Sequence, residues 1–252
     1  MIDLSGRVAV ITGGSRGIGA ATAIMFARAG ADVVITYRRD KTAGRNVVVT
    51  VNSLGKDCTL IRNHVEDYQE CVRSARSVVR RFGHIDILVN NAGIWEDGAI
   101  GTMSPREWKK TIDINLTGTF NWCNAVVPWM KRHRFGKIIN ISSTAGQRGE
   151  AFHSHYGASK GGVIAFTKSI APELVLHGIW VNCVAPGWVD TDMTARSIHD
   201  KRQKKNIIST IPRGKIATTQ EIAGPILFLA SPLADNIVGE VLNVNGGSVL
   251  CG

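Results

Sequence analysis

A short apolar run, Val8-Ala9-Val10-Ile11, leads directly into Thr12-Gly13-Gly14-Ser15-Arg16-Gly17-Ile18-Gly19. Ala20–Ala29 follows, with Ala, Ile, Met and Phe on one side, and Gly30 ends it before a second strand at Val33-Val34-Ile35. A strand, a glycine turn, a helix and another strand in this order form one folding unit. The alternation then repeats. Strands are predicted at 59–61, 85–89, 138–141, 179–184 and 241–244, and helices at 67–82, 107–132, 154–177 and 220–230. Gly118 and Pro128 interrupt the stretch 107–132, and Pro172 sits inside 154–177. Repeated strand–helix alternation predicts an α/β chain, a doubly wound parallel sheet with helices on both faces. No linker and no internal repeat divides the chain, so 1–252 reads as a single domain. The polar, lysine-rich stretch 191–211 fits either a lid or a solvated loop.

Composition narrows the class. Of 252 residues, 44% are hydrophobic and 20% charged, enough to bury a substantial core. No run of about 18 apolar residues predicts a membrane span, and Met1-Ile2-Asp3-Leu4-Ser5-Gly6 lacks the pattern of a signal peptide. The five cysteines, at 58, 71, 123, 183 and 251, form no C-x-x-C pair and read as reduced thiols of a cytoplasmic protein. The net charge of +10 is scattered over several segments, among them Arg38-Arg39, Arg80-Arg81 and Lys201-Arg202. No arm or motif gathers it for nucleic acid. His153 and His155 lie two apart, a spacing that defines no closed metal site, so no metal is expected.

A glycine turn between strand and helix lets backbone N–H groups approach a pyrophosphate, aided by the positive end of the helix. Asn90-Asn91-Ala92-Gly93 follows the fourth strand, and Ser143, Tyr156-x-x-x-Lys160 and Pro186-Gly187 with Thr191 come later in the chain. In this order the motifs resemble the classical short-chain dehydrogenase/reductase family over nearly the whole chain. The resemblance implies a Rossmann-type sheet of about seven strands and a homotetramer. It also implies cofactor contacts from Gly13, Ser15, Arg16, Gly17, Ile18 and Gly19, from Val65, from Asn90, Ala92 and Gly93, from Tyr156 and Lys160, and from Pro186, Gly187, Val189 and Thr191. His64 stands where the family often has Asp or Asn against adenine; a partly exposed loop histidine is the alternative. The end of the second strand reads Thr36-Tyr37-Arg38-Arg39, with no carboxylate before Asp40. An acidic residue there would bind the ribose hydroxyls of NAD, whereas Arg38, flanked by Arg16, suits a 2′-phosphate. The expected cofactor is NADP(H).

Carbonyl reduction needs a proton for the nascent alkoxide. A tyrosine with a pKa near about 10 becomes a better base beside a cation. Tyr156 and Lys160, four apart, share a helix face. Ser143 follows the strand ending at Ile141 and can polarise a substrate carbonyl; Ser142 is its neighbour and competitor. The thirteen-residue step from Ser143 to Tyr156 matches the family motif, and Asn115 matches its fourth active-site residue, which helps hold a water-mediated proton path past the lysine.

The substrate pocket is expected from Gln147, Phe152, His153 and Trp188, with Trp95 and the loop near Met193. Within the family the chain is similar to the 3-oxoacyl-[acyl-carrier-protein] reductase type. That likeness rests on Gly136–Ser143, Val184–Gly187, Thr191-Asp192-Met193 and Asn245-Gly246-Gly247. It implies reduction of a 3-oxo thioester in fatty-acid biosynthesis, with Lys131, Arg132 and Arg134 available for an acidic carrier protein. A second basic docking position falls on His177. Dehydrogenases of sugars, steroids and other secondary alcohols share the scaffold. A nucleotide-sensing protein without catalysis and a sugar-nucleotide epimerase are the readings of other classes. Retention of Tyr156 and Lys160 speaks against the first, and the short C-terminal region against the second.

Overall fold

A computed structural model describes residues 2–251. The elements are β1 (Val8–Ile11), α1 (Gly17–Arg28), β2 (Asp32–Tyr37), α2 (Lys41–Ser53), β3 (Cys58–Arg62), α3 (Tyr68–Phe82), β4 (Ile87–Asn90), α4 (Pro105–Ile112), α5 (Gly118–His133), β5 (Gly136–Ile141), α6 (Thr144–Arg148), α7 (Ser154–Val175), β6 (Ile179–Pro186), α8 (Ala195–His199), α9 (Lys201–Ser209), α10 (Thr219–Ala230) and β7 (Val241–Val244). Among the described residues the strands form one seven-stranded sheet, ordered β3-β2-β1-β4-β5-β6-β7. Every neighbouring pair is parallel. The expected Rossmann-type sheet is thus the observed one.

Its central strands are apolar on both faces because helices cover both. Ala9 and Ile11 pack on one side with Phe26 of α1 and Ile226 of α10. Val8 and Val10 face the other side, with Val78 of α3 and Trp122 and Val126 of α5. Successive side chains of a strand point to opposite faces, so one four-residue run feeds two cores. A buried polar bridge crosses the second layer. Asn90 Nδ2 donates to Asn140 Oδ1 at 2.9 Å, and Asn140 Nδ2 donates to Thr167 Oγ1 at 2.9 Å, joining β4, β5 and α7. Among the described residues, no helix is long and apolar enough to cross a membrane.

Three local features differ from the sequence reading. The stretch 107–132 is helical throughout: α4 and α5 are joined by a π-helical turn, Asp113–Thr117, and Pro128 lies within α5. The lysine-rich stretch contains α8 and α9, the latter started by Asp200, whose side chain accepts from the Gln203 N–H. Helix α2 has no counterpart among the predicted elements. Its Val47-Val48-Val49-Thr50-Val51 run is rich in β-branched residues, which lower helix propensity. Tertiary packing outweighs that preference: Val47 and Val51 are buried in the first core, and the side-chain-free Gly44 sits against Leu60 of β3. Asp40 starts the helix by accepting from the Ala43 N–H at 2.8 Å. Asp40→Ala should therefore cost about 1 kcal/mol of unfolding free energy in a urea titration; a change within a few tenths would mean that packing alone sets where α2 begins.

Candidate active site

The strand order reverses between β1 and β4, and the crevice there opens at their carboxyl ends, where open α/β sheets bind ligands. It forms a cleft of about 570 Å³. Its walls include Gly13, Ser15, Arg16, Gly17 and Ile18 of the first turn, Arg38 after β2, Val65 after β3, and Ala92 and Gly93 after β4. They also include Ser143, Tyr156, Lys160, Pro186, Gly187, Trp188, Val189 and Thr191. The long-range motifs of the sequence therefore meet on one cavity.

At one end, α1 starts without a side-chain cap and without an acidic residue in its first turn. Its first N–H groups are left for an anion. Gly13 adopts φ +62°, and a Cβ there would stand 3.0 Å from Ala92 Cα. Gly19 does not line the cleft; it brings the helix close to the turn, since a Cβ would lie 2.4 Å from the Gly13 carbonyl oxygen. An uncapped helix start behind a side-chain-free turn fits the pyrophosphate of a dinucleotide. Arg38 pairs with Glu66 at 2.7 Å, and Arg16 with Asp192 at 3.6 Å, the second pair largely exposed. Asp40 is engaged in capping α2.

Besides Gly19, two expected cofactor contacts lie off the cleft wall. The His64 ring turns to Glu70, 3.1 Å from Nδ1, and is absent from the cleft walls, which Asn63 and Val65 form instead. Asn90 is buried between β4, β5 and Cys123. Its neighbour Asn91 faces the cleft, donating from Nδ2 to the carbonyl oxygens of Thr12 and Gly13 at 3.0 and 3.1 Å.

At the other end stand Ser143, Tyr156 and Lys160. The two serines after β5 point apart. Both border the cleft, but Ser142 Oγ is spent on the Lys160 carbonyl oxygen, to which it donates at 2.8 Å, whereas Ser143 accepts from the Ala145 N–H at the start of α6 and hydrogen-bonds with Tyr156. Burial lifts the Tyr156 phenol to about 12; a hydrogen bond with Ser143 opposes the rise and the charge of Glu150 adds to it. Burial lowers Lys160 to about 8. The expected depression of the tyrosine by the lysine is thus reversed. Lys160 Nζ lies 5.8 Å from the Tyr156 ring centroid and donates to the Ile141 carbonyl oxygen at 2.8 Å. Desolvation outweighs the weak charge contact.

Asn115 lies behind this group, in the π-helical turn, and is fully buried. Its Oδ1 accepts from the Ile94 N–H at 2.8 Å. Its Nδ2 donates to the Ile94 carbonyl oxygen at 3.0 Å and to Ser159 Oγ at 3.1 Å. It locks the chain after β4 to α7. Gly93 leaves the space where Asn115 and Lys160 converge: a Cβ would stand 3.2 Å from Asn115 Oδ1 and 3.5 Å from Lys160 Nζ.

Trp95, Trp188 and Met193 line the outer pocket, the two indoles edge to face at 5.8 Å. The other expected pocket residues stand elsewhere. Phe152, at φ +62°, projects into solvent with 71% exposure. Gln147 Nε2 donates to Asn243 Oδ1 beside β7. His153 is a backing residue, stacked on Trp95 at 4.5 Å. Glu150 takes a wall position that the sequence reading missed. Lys131, Arg132 and Arg134 end α5 just before β5, and His177 lies just before β6, so all four sit at the opposite end of the sheet from this cleft. Among the described residues, no group of three His, Cys, Asp or Glu side chains can hold a metal.

Comparison with known proteins agrees with this geometry. A family model described as "Enoyl-(Acyl carrier protein) reductase" matches residues 13–248. The chain is 40% identical to the 3-oxoacyl-[acyl-carrier-protein] reductase of Synechocystis sp., over 99% of this chain and all of that one. It is also 40% identical to the acetoacetyl-CoA reductase of Shinella zoogloeoides, over 96% of this chain and 98% of that one. A crystal structure of a proposed NAD(P)-dependent gluconate 5-dehydrogenase from Beutenbergia cavernae, with bound NADP, superposes with a TM-score of 0.92 at 33% identity, covering 98% of each chain. The chain belongs to the short-chain dehydrogenase/reductase family, oxidoreductases that work with a nicotinamide cofactor.

Proposed function

We propose that this protein reduces a 3-oxoacyl thioester, carried by acyl carrier protein, to the secondary alcohol and prefers NADPH. The observation that carries this reading is the convergence of Ser143, Tyr156 and Lys160 on the cleft that also holds the uncapped start of α1. Near-full-length likeness to 3-oxoacyl reductases supports the substrate class. When bound, the reduced nicotinamide supplies the hydride. Ser143 Oγ hydrogen-bonds the carbonyl oxygen and orients it. Tyr156 delivers the proton from its hydroxyl. With its phenol near 12, it keeps that proton through neutral pH and acts as an acid. The Lys160 ammonium stabilises the phenolate left behind. Asn115 acts through position, fixing Ile94 and, through Ser159, the turn that carries Tyr156.

Arg38 and Arg16 favour a 2′-phosphate, and β2 is followed by no free carboxylate, since Asp40 caps α2. The same reading makes 1–252 one catalytic domain of a cytoplasmic homotetramer. A carrier protein docked at Lys131, Arg132 and Arg134 would then serve the cleft of another copy, because these residues lie away from their own.

Three measurements test this reading. Tyr156→Phe should lower kcat for carbonyl reduction by roughly a hundred- to ten-thousand-fold with little change in cofactor affinity; near-normal turnover would remove Tyr156 from the proton step. Arg38→Asp should weaken NADPH binding about tenfold or more in a fluorescence titration while sparing NADH, and an equal loss for both would assign Arg38 a merely structural part. Lys160 carries its stabilising charge only below about 8. Reduction should therefore slow as pH rises through that value, even though Tyr156 remains protonated, and a profile flat to pH 10 would exclude this role for Lys160.

A further inference from the structure

Glu150 lies between α6 and α7 and forms part of the pocket wall with Trp95 and Tyr156. Its side chain is only 25% exposed. Trp95 Nε1 donates to Glu150 Oε2 at 3.3 Å. Trp95 is in turn stacked on His153, whose Nε2 lies 3.1 Å from Asp97 and whose Nδ1 lies 4.0 Å from Glu150. The backbone fixes this arrangement as well: Gly98 N–H donates to the Phe152 carbonyl oxygen at 2.7 Å, and Gly98 and His153 form a β-bridge. The carboxyl group is therefore held in place. Burial raises its pKa above the ordinary carboxylate value; the charge of His153, the Trp95 hydrogen bond and the charge of Arg148 oppose that rise. Its charge, once ionised, is felt by the Tyr156 phenol. Of the cations on the same wall, Arg148 is exposed to solvent, and the buried Lys160 ammonium is already engaged with the Ile141 carbonyl oxygen. A half-buried charge acts across a pocket more strongly than a solvated one.

We propose that Glu150 is a specificity-determining residue that turns away carbonyl compounds bearing a free carboxylate near the reacting carbon and admits them when that carboxylate is masked as an amide, ester or thioester. A substrate carboxylate in this pocket meets a fixed like charge. An amide or pantetheine-type N–H meets a hydrogen-bond acceptor instead. This deepens the reading of the cleft as a thioester reductase, because it separates a 3-oxo thioester from the 3-oxo acid formed by its hydrolysis.

The test compares acetoacetate with acetoacetamide, as substrates and as competitive inhibitors of whichever ketone the protein turns over. The wild type should favour the amide by about tenfold or more in kcat/KM or in inhibition constant. Glu150→Gln should shrink that ratio by about tenfold, whatever happens to either rate alone, and Glu150→Asp should largely retain it. A wild type that treats acid and amide alike overturns the proposal without any variant. So does a Glu150→Gln protein that loses both equally, since the residue would then be supporting Trp95 only. Failure to reduce any 3-oxo thioester would retire the proposed substrate, while the inhibition ratio would still decide the role of Glu150.

Discussion

The crevice between β1 and β4 depends on a small cross-link at its base. Thr12 Oγ1 accepts from the N–H groups of Asn91 and Ala92, both at 3.0 Å, and Asn91 Nδ2 returns bonds to the carbonyl oxygens of Thr12 and Gly13. These contacts set the glycine turn and the chain after β4 at a fixed separation. From there the site is built by succession. Gly93 leaves room for Lys160, Ile94 is gripped by Asn115, and Asn115 reaches Ser159, one turn along the helix that begins near Tyr156. The glycine-turn end of the cleft and its Tyr156 end are thus joined by hydrogen bonds linked through the backbone of residues 91–94. Groups positioned through several such bonds lose little freedom when a ligand arrives.

Burial does more to Tyr156 and Lys160 than their mutual contact does. Tyr156 and Lys160 are both desolvated, which disfavours the charged form of each and moves their pKa values in opposite directions. The ammonium is held by the Ile141 carbonyl oxygen, a neutral dipole; in the proposed mechanism it is therefore free to respond when the phenol gives up its proton. A buried carboxylate in that place would have given a tight ion pair and a lysine charged over the whole working range of pH.

What the sequence made legible follows a physical pattern. Gly13, Gly17 and Gly19 act locally, and Tyr156 and Lys160 are tied by helical geometry, so their placement could be read without the fold. Ser143 could be chosen over Ser142 by spacing, and the structure gives the two different partners, the Lys160 carbonyl oxygen for Ser142 and Tyr156 for Ser143. Loop residues fared differently because no period fixes their direction. His64 turns towards Glu70, Phe152 points to water, and Asn90 gives up the cleft to Asn91 through a shift of one residue. Glu150 carried no signal, since a charged residue in a loop normally faces solvent. Helix α2 was hidden by its valines, whose burial depends on packing against the flanking β2 and β3 and against α1.

The π-helical turn joins these levels. Asp113–Thr117 places one extra residue in a helix that is otherwise regular. An added residue rotates everything beyond it by about 100°. Before the turn, Thr111 is buried; within it, Ile114 and Asn115 are buried, with Asn115 aimed at Ile94 and Ser159. Beyond it, Trp122, Val126 and Met130 recur at helical spacing and fill the second core. A regular helix would have to choose between aiming Asn115 at the site and aiming that apolar row at the sheet. The extra residue satisfies both, and Thr119 Oγ1 adds a bond to the Asn115 carbonyl oxygen at 2.9 Å. The local irregularity is therefore the means by which a core helix also serves the cleft.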